Sequence, residues 1–315
     1  MTYSVRFASP EVDYPLPVAG TAPWRLGTAH AIIDLPDIPA DHIIAAGFAS
    51  TSTRQRFALQ LRCNSGRFQT AAFGHRAKAL MRSRGRGVGV PVDYFDTSDD
   101  LTSVRLCLKC RARAPAVYLL TVSIRPRIIE APTTVPVDTP VLGAPCLSQT
   151  TLDAAISRQA CSPTATAMAL GIADDAEFRA FVQSAMHRPT GLCGVWPQNL
   201  WAAARRGRLG GVELMSSWED VRQALSAQVP VVASVRFQTG ELPNSPMPAT
   251  GGHLVLLRGI EGGTVRVNDP AGPPGAVDRR YDARAFAAAW MRERGAAYVF
   301  AGTGSRSSRG AGAPA

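Results

Sequence analysis

The stretch RQACSPTATAMAL, residues 158–170, predicts a helix that begins at a cysteine. Ser162 can cap this helix, and Pro163 suits its first turn, where a proline loses no intrahelical hydrogen bond. Apolar residues recur at the three- and four-residue spacing of one helix face, at Ala165, Met168, Ala169 and Ile172. We therefore expect an amphipathic helix with Cys161 at its N-terminus.

Two roles are open to a thiol at this place. The partial positive charge of a helix N-terminus favours the thiolate, which is the nucleophilic form of cysteine. Most free cysteines are instead small apolar residues of the core. The helix start alone fits both roles of Cys161 equally well.

A cysteine nucleophile needs a base, and histidine has the ordinary pKa that suits this task best. Of the five histidines, His253 stands out because it opens a strand in TGGHLVLLRG, residues 250–259. Gly251 and Gly252 before it allow a substrate or a neighbouring backbone to approach closely. The alternative role of His253 is a core histidine whose hydrogen bonds are satisfied.

Asp269, in VRVNDPAG at residues 265–272, lies on the next strand. A two-residue glycine turn predicts a hairpin that returns Asp269 towards His253, where its carboxylate could orient the imidazole. The regular register sets Asp269 opposite Leu256, three residues from His253, or about 10 Å away. A bulge, a longer turn or strand twist must close this offset. The alternative role of Asp269 is a turn-forming residue before proline.

The chain is expected to form two domains. Residues 1–125 contain short β-type segments typical of a β-sandwich: HAIIDL, RFALQLRC, GRFQTAAF, SVRLCLKC and AVYLLTVSI. Prolines within residues 126–145 exclude a helix there and indicate a linker. Residues 146–302 form the second domain, and residues 303–315 are expected to be a flexible tail.

In the second domain, helices are followed by mostly antiparallel strands, which predicts an α+β fold. Besides the helix at Cys161, we expect helices that open at Pro197, Ser217 and Asp282, the last of them stopped by Gly295. Strands are expected in four segments: VPVVASVRF, HLVLLRGIE, TVRVNDP and AAYVFAG.

Composition indicates a globular protein with a basic surface. Of the 315 residues, 46% are hydrophobic and 18% are charged, which argues against a disordered chain. The formal net charge is +10, and the densest basic stretch is HRAKALMRSRGRG at residues 75–87. Because this stretch lacks interleaved aromatic residues, we interpret it as a solvated loop and expect no nucleic-acid partner.

The six cysteines are too few for a disulfide scaffold in a chain of this length. Cys107 and Cys110 form one isolated C-x-x-C, so we expect structural thiols and no metal site. Cys146 and Cys193 open no clear helix and are also assigned to structure. No apolar run has membrane-spanning length, and the N-terminal residues lack the apolar core of a signal peptide. We expect a cytoplasmic protein, with non-classical export as the alternative.

Six motifs together resemble a known family: GAPCLSQ, QACSPTATAMAL, GVWPQNLWAAARRG, PVVASVRFQTGELP, TGGHLVLLRGI and VRVNDPAG. They are similar to papain-like cysteine peptidases of the bacteriocin-leader-processing type, and more closely to the family thirty-nine-like proteins of bacteria. The resemblance covers roughly residues 140–302. It implies a papain-like α+β peptidase domain with a helical part and an antiparallel sheet. The N-terminal half resembles, more weakly, a β-sandwich that precedes this domain in some of these proteins.

The resemblance also implies a role for each candidate residue. Cys161 would be the nucleophile, His253 the general base and Asp269 the residue that orients His253. Papain-like enzymes use a glutamine before the cysteine to stabilise the oxyanion. Gln149 matches this glutamine, and Gln159 is the alternative. The candidates for the substrate cleft are Trp196, Gly251 and Gly252.

These residues predict a cysteine peptidase, or another amide hydrolase, that acts on a peptide or protein through an acyl-thioester and needs no cofactor or metal. Two alternatives stay open. One is a catalytically inactive module on the same fold that binds peptide or carbohydrate. The other is an acyltransferase that uses the same thioester.

Overall fold

The computed structural model describes residues 1–25, 30–52, 54–79, 82–111 and 114–302, and of residues 82–84 only the backbone. The predicted tail at residues 303–315 lies outside the described residues, as does part of the basic stretch 75–87. Within the described ranges, no helix combines the length and apolar character needed to cross a membrane.

The first region of the chain is all-β. In its described part the strands are β1 (Tyr3–Ala8), β2 (His30–Asp34), β3 (His42–Ser50), β4 (Arg56–Cys63), β5 (Gly66–Gln69), β6 (Phe73–Gly74), β7 (Arg82–Gly85), β8 (Val88–Gly89), β9 (Tyr94–Thr97), β10 (Arg105–Cys110) and β11 (Tyr118–Pro126). They form two antiparallel sheets. One has the order β1-β11-β3-β9-β8, and the other has the order β2-β10-β4-β5-β7 with β6 beside β4.

The two sheets share one hydrophobic core. Because side chains alternate along a strand, the even-numbered residues of β3 and β11, such as Phe48 and Leu120, point to the same face. There they join residues of the other sheet, such as Leu59 in β4 and Leu108 in β10. The predicted β-sandwich is confirmed, although the sequence did not indicate β1, the central strand β3 or the strands β7 to β9. The interpretation of residues 75–87 as a loop is wrong in part, because Arg82–Gly85 pair with β5 as a strand.

The second region combines helices with a third sheet. Its helices are α1 (Ala154–Ser157), α2 (Cys161–Ala169), α3 (Asp175–Ala185), α4 (Trp196–Ala204), α5 (Trp218–Ser226) and α6 (Ala283–Met291). Its strands are β12 (Gly210–Leu214), β13 (Val231–Phe237), β14 (Thr250–Glu261), β15 (Thr264–Asn268), β16 (Asp278–Asp282) and β17 (Ala296–Phe300). The sheet is antiparallel, with the order β12-β17-β13-β14-β15-β16. The predicted α+β architecture is confirmed, but the prediction missed α1, α3, β12 and β16.

The sheet that contains β3 is covered on both faces. Its odd-numbered residues, including Ile43, Ala45 and Leu119, belong to a second core that they share with the α+β region. The Thr121 hydroxyl accepts the N–H of Val212 at 3.0 Å and donates to its carbonyl at 2.9 Å, which ties β11 to β12. The two regions are therefore joined by a continuous apolar core.

A buried ion pair crosses the same interface. Arg6 in β1 donates from Nε and Nη2 to the two carboxylate oxygens of Glu213 in β12, at 2.8 and 3.0 Å. Tyr14 and Ser123 donate their hydroxyls to the same carboxylate. The predicted linker at residues 126–145 contains no helix or strand after its first residue. That this linker separates two independently folding domains stays a prediction.

Candidate active site

Cys161 is the first residue of α2, as the sequence predicted. The predicted cap and the predicted amphipathic character of this helix are both wrong. Ala160 occupies the cap position, and the Ser162 hydroxyl lies 2.8 Å from the buried Tyr298 hydroxyl instead of capping the helix. Every residue from Ser162 to Ala169 is buried, because α2 packs against β14 on one side and against α3 and α4 on the other. It is a core helix and not an amphipathic one.

His253 reaches the same place from β14. Its side chain is buried, and its Nε2–H donates to Oδ1 of Asp269 at 2.7 Å. The predicted hairpin turn at Gly262 and Gly263 is present, and a bulge at Arg258 shifts the register between β14 and β15 by one residue. A bulge was one of the three ways in which the offset between the histidine and the aspartate could close.

The Asp269 carboxylate accepts hydrogen bonds from three donors. Besides the His253 ring, Oδ1 accepts the N–H of Ala271 at 2.9 Å, and Oδ2 accepts the hydroxyl of Tyr281 at 2.8 Å. Burial would raise the pKa of Asp269, but the charge of His253 and the three hydrogen bonds hold this pKa below its usual range. Asp269 therefore contacts the histidine and forms the turn before Pro270 at the same time.

The His253 imidazole acts on the Cys161 thiol, because it is the main group that lowers the pKa of this thiol. Because Nε2 is occupied by the aspartate, Nδ1 is the ring nitrogen left to face the sulfur. Burial would raise the pKa of the thiol, but the hydrogen bond and charge of His253 lower it below that of an ordinary cysteine, with the help of the Leu254 and Ser162 N–H groups. Burial also opposes protonation of His253, yet Asp269 raises the pKa of the imidazole above its usual value. Both shifts favour a thiolate–imidazolium pair.

The two glutamines occupy different places. Gln149 is buried in a 3-10 turn, where its backbone N–H donates to the Pro270 carbonyl at 2.8 Å. Its side-chain amide donates to the Ser157 carbonyl at 2.7 Å and keeps a second N–H. Gln159 is half-buried and lines the cavity that contains Cys161. Gln149 thus has the more constrained position, but it is not among the described residues that line this cavity, whereas Gln159 is.

A cavity of about 350 Å³ opens beside Cys161. Trp196 and Gly252 line it, together with Leu254 from β14. Gly251 is not among its lining residues in the described part of the chain, and its carbonyl accepts a hydrogen bond from Arg236 at 2.8 Å instead. A cavity of this size accommodates a small ligand or a short peptide segment.

The all-β region supplies part of this cavity, which the sequence did not suggest. Val92 and Asp93 line it, and the Asp93 carboxylate accepts the Trp196 N–H at 2.7 Å where α4 begins. Tyr94 stacks on the Trp196 ring with centroids 5.4 Å apart, and the Arg294 guanidinium lies 6.0 Å from that ring. Burial raises the pKa of Asp93 to about 6, although the Trp196 N–H and Arg294 oppose this shift.

The other cysteines differ in exposure. Cys107, Cys110 and Cys193 are buried, and burial raises the pKa of Cys110 to about 12 and that of Cys193 to about 11. Cys107 and Cys110 are three residues apart on one strand, so they point to opposite faces of their sheet. Cys146 is exposed, and its assignment to structure stays a prediction. Among the described residues, no cluster of His, Cys, Asp or Glu is suited to hold a metal ion.

Comparison with known proteins gives a match to a family model. Residues 141–298 match the family model described as Peptidase_C39 like family, and these residues make up half of the chain. The matched range contains Cys161, His253 and Asp269. Neither the curated proteins nor the solved structures gave a match.

Proposed function

Because the chain belongs to the Peptidase_C39 like family, we propose that it is a cysteine peptidase that cleaves a peptide amide through an acyl-thioester on Cys161. One observation carries the proposal. The imidazole of His253 lowers the pKa of the Cys161 thiol and donates a hydrogen bond to the carboxylate of Asp269, and the thiol lines a cavity that admits a ligand. A buried core thiol would need neither the imidazole nor the cavity.

In the first half of the reaction, the Cys161 thiolate attacks the carbonyl carbon of the scissile amide. A C–S bond forms, and the carbonyl oxygen takes the negative charge. The N–H of Cys161, which a helix start leaves without an intrahelical partner, and the side-chain amide of Gln149 donate to this oxyanion. The C–N bond then breaks, and Nδ1 of His253 gives its proton to the leaving amine. The acyl group stays on the sulfur as a thioester.

In the second half, water releases the acyl group. The neutral His253 ring takes one proton from water while the oxygen attacks the thioester carbonyl. The C–S bond breaks, which restores the thiolate and the imidazolium, and the acid product loses its remaining proton to solvent. Asp269 accepts the Nε2–H throughout, so that it fixes the tautomer of the ring and stabilises its charge.

The proposal is tested with a diverse peptide library in water enriched in heavy oxygen. We expect the wild-type chain to create new C-termini that carry the heavy oxygen and Cys161→Ala to create none. Cys63→Ala is the matched control, because Cys63 is a half-buried thiol in the all-β region. An amine added to the same reaction measures acyl transfer, since an amide product would then replace the labelled acid.

Two results would overturn the proposal. One is equal cleavage of the library by wild type and by Cys161→Ala. The other is a library left intact by a wild-type chain whose Cys161 also resists labelling by a set of peptide vinyl sulfones.

A further inference from the structure

A second cavity, of about 630 Å³, lies between the all-β region and the helices of the α+β region. The loop from Ala72 to Lys78 forms one side of it, and α3, α4 and the segment after α3 form the other. Its volume is within the range of small-molecule sites. Cys161 does not line it, and the proposed peptidase reaction does not use it.

Three arginines and a histidine surround this cavity: His75, Arg76, Arg188 and Arg205. None of the described residues that line it is acidic. No ion pair in the described part of the chain involves these three arginines, whereas the adjacent Arg206 pairs with Glu177 at 3.6 Å. The cavity is therefore lined by positive charges without a counter-charge, although the sequence had suggested only a solvated basic loop at residues 75–87.

The loop that carries two of these residues is held in place. Ala72 and Lys78 exchange backbone hydrogen bonds of 3.0 Å, which close the loop. The Gly74 N–H donates to Oε1 of Gln198 in α4 at 2.9 Å, which ties the loop to the other region. Arg76 has a φ of 52°, a left-handed conformation that is unfavourable for a residue with a Cβ atom. Such strain persists only where the surroundings impose it, and it is concentrated at functional sites.

On the opposite side, Arg205 is oriented by an aromatic ring. Its guanidinium lies 5.1 Å from the centroid of the Trp201 ring, which also lines the cavity. Stacking on a ring occupies the face of a guanidinium and leaves its N–H edges available to oxygen acceptors. Each guanidinium can bind two oxygens of a carboxylate or phosphate, so several arginines suit a ligand with several charged oxygens. A bound anion would also remove the repulsion among the like charges.

We propose that this cavity binds a small, multiply charged organic anion, either a phosphate ester or a polycarboxylate, between the two regions of the chain. The site is separate from the thiol and does not depend on peptidase activity.

Calorimetric titration of the full chain with pyrophosphate and with citrate, at constant ionic strength, tests the proposal. We expect saturable one-to-one binding of at least one probe, and the tighter of the two identifies phosphate or carboxylate chemistry. Arg76→Gln and Arg188→Gln should each weaken binding roughly tenfold, because each removes a charge-assisted hydrogen bond. Arg284→Gln is the matched control, since it removes one exposed arginine from α6, outside the cavity.

Three outcomes would overturn the proposal. Equal weakening by all three variants would indicate a general effect of net charge. No saturable binding of either probe would mean that the cavity does not select multiply charged anions. Saturable binding of an aspartate-rich peptide alone would make the cavity a docking site for an acidic chain and not for a small molecule.

Discussion

His253 and Asp269 form their 2.7 Å hydrogen bond across a hairpin whose first strand contains a bulge. In the regular register Asp269 would lie opposite Leu256, whose side chain points to the other face of the sheet from His253. With the bulge, Leu256 pairs with Asn268, so Asp269 comes opposite Val255 and shares a face with His253. A shift of one residue decides whether the carboxylate can reach the imidazole.

Tyr281 is expected to act through Asp269 as a positioning residue. Tyr281→Phe removes the hydroxyl that donates to Oδ2 of Asp269 but keeps the ring that stacks on Phe286. The pKa of Asp269, which this donor helps to hold down, then rises, so the carboxylate loses its charge at a higher pH. We expect kcat/KM to fall roughly tenfold and the acid limb of its pH profile to move to higher pH.

Tyr3→Phe, in β1, is the control for the loss of a tyrosine hydroxyl. If Tyr281→Phe lowers activity without moving the pH profile, the tyrosine supports the core and does not act through the carboxylate.

Gln149 and Gln159 are distinguished by their effects on turnover. If Gln149 donates to the oxyanion, Gln149→Ala should lower kcat by about a hundredfold or more with little change in KM. Gln159→Ala should leave kcat close to wild type, although Gln159 lines the cavity. Steady-state kinetics and a melting temperature for both variants make this comparison. The reverse pattern, at equal stability, would assign the oxyanion contact to Gln159.

Asp93 is expected to make stability depend on pH. Its pKa is about 6 in the folded chain, whereas an unfolded aspartate has a pKa near 3.9. The folded state binds this proton more tightly, so the stability that the proton contributes is complete below about pH 4 and is lost as pH rises through about 6. Asp93→Asn keeps an oxygen for the Trp196 N–H and removes the charge.

We therefore expect the free energy of unfolding of Asp93→Asn to exceed that of wild type by about 2 to 3 kcal/mol above pH 7 and to equal it below about pH 4. Denaturant titrations at the two pH values measure the difference. A difference that is the same at both would mean that Asp93 does not titrate in this range.

The core shared by the two regions is tested at Gly47. A Cβ atom there would lie 2.4 Å from the backbone nitrogen of Val212, across the interface between β3 and β12. Because backbone atoms cannot move aside without shifting a strand, Gly47→Ala should lower the free energy of unfolding by about 1 to 3 kcal/mol. In Gly143→Ala, the matched control, the new Cβ meets no atom within 4 Å. Equal stabilities of the two variants would contradict the interface.

The placement of Cys161 at a helix start and of His253 on a strand before a hairpin could be predicted from the sequence, because both depend on local features. Their catalytic roles stay predictions. Pro163 indicates a helix start at Cys161, although Ser162 does not cap this helix, and two glycines indicate the hairpin that follows His253. The bulge could not be predicted, since Arg258 is held there by contacts from distant parts of the chain. Its Nη1 donates to the Leu142 carbonyl and its Nη2 to Asp278, both at 2.9 Å.

Other parts were missed for different reasons. The sequence of β3 does not indicate a strand clearly, because it is rich in alanine and glycine. The close approach of β12 at Gly47 requires such small residues. Asp93 carries no local signal that it lines a cavity formed by the other region. The helix α3 could have been predicted from its sequence. Asp174 is a typical N-cap residue, and in the structure it accepts the Glu177 N–H at 2.8 Å. Apolar residues follow at helical spacing: Phe178, Phe181, Val182 and Ala185.

The pH dependence of alkylation at each cysteine tests whether Cys161 is the activated nucleophile. It is measured by mass spectrometry in wild type, His253→Ala and His253→Gln. A free thiol ordinarily has a pKa of about 8.5. We expect Cys161 to react rapidly well below this pH and to lose its reactivity in both variants. The exposed Cys146 serves as the accessible reference thiol. If Cys161 resists alkylation until the chain unfolds, or reacts equally without His253, it is not the activated nucleophile and the peptidase mechanism is wrong.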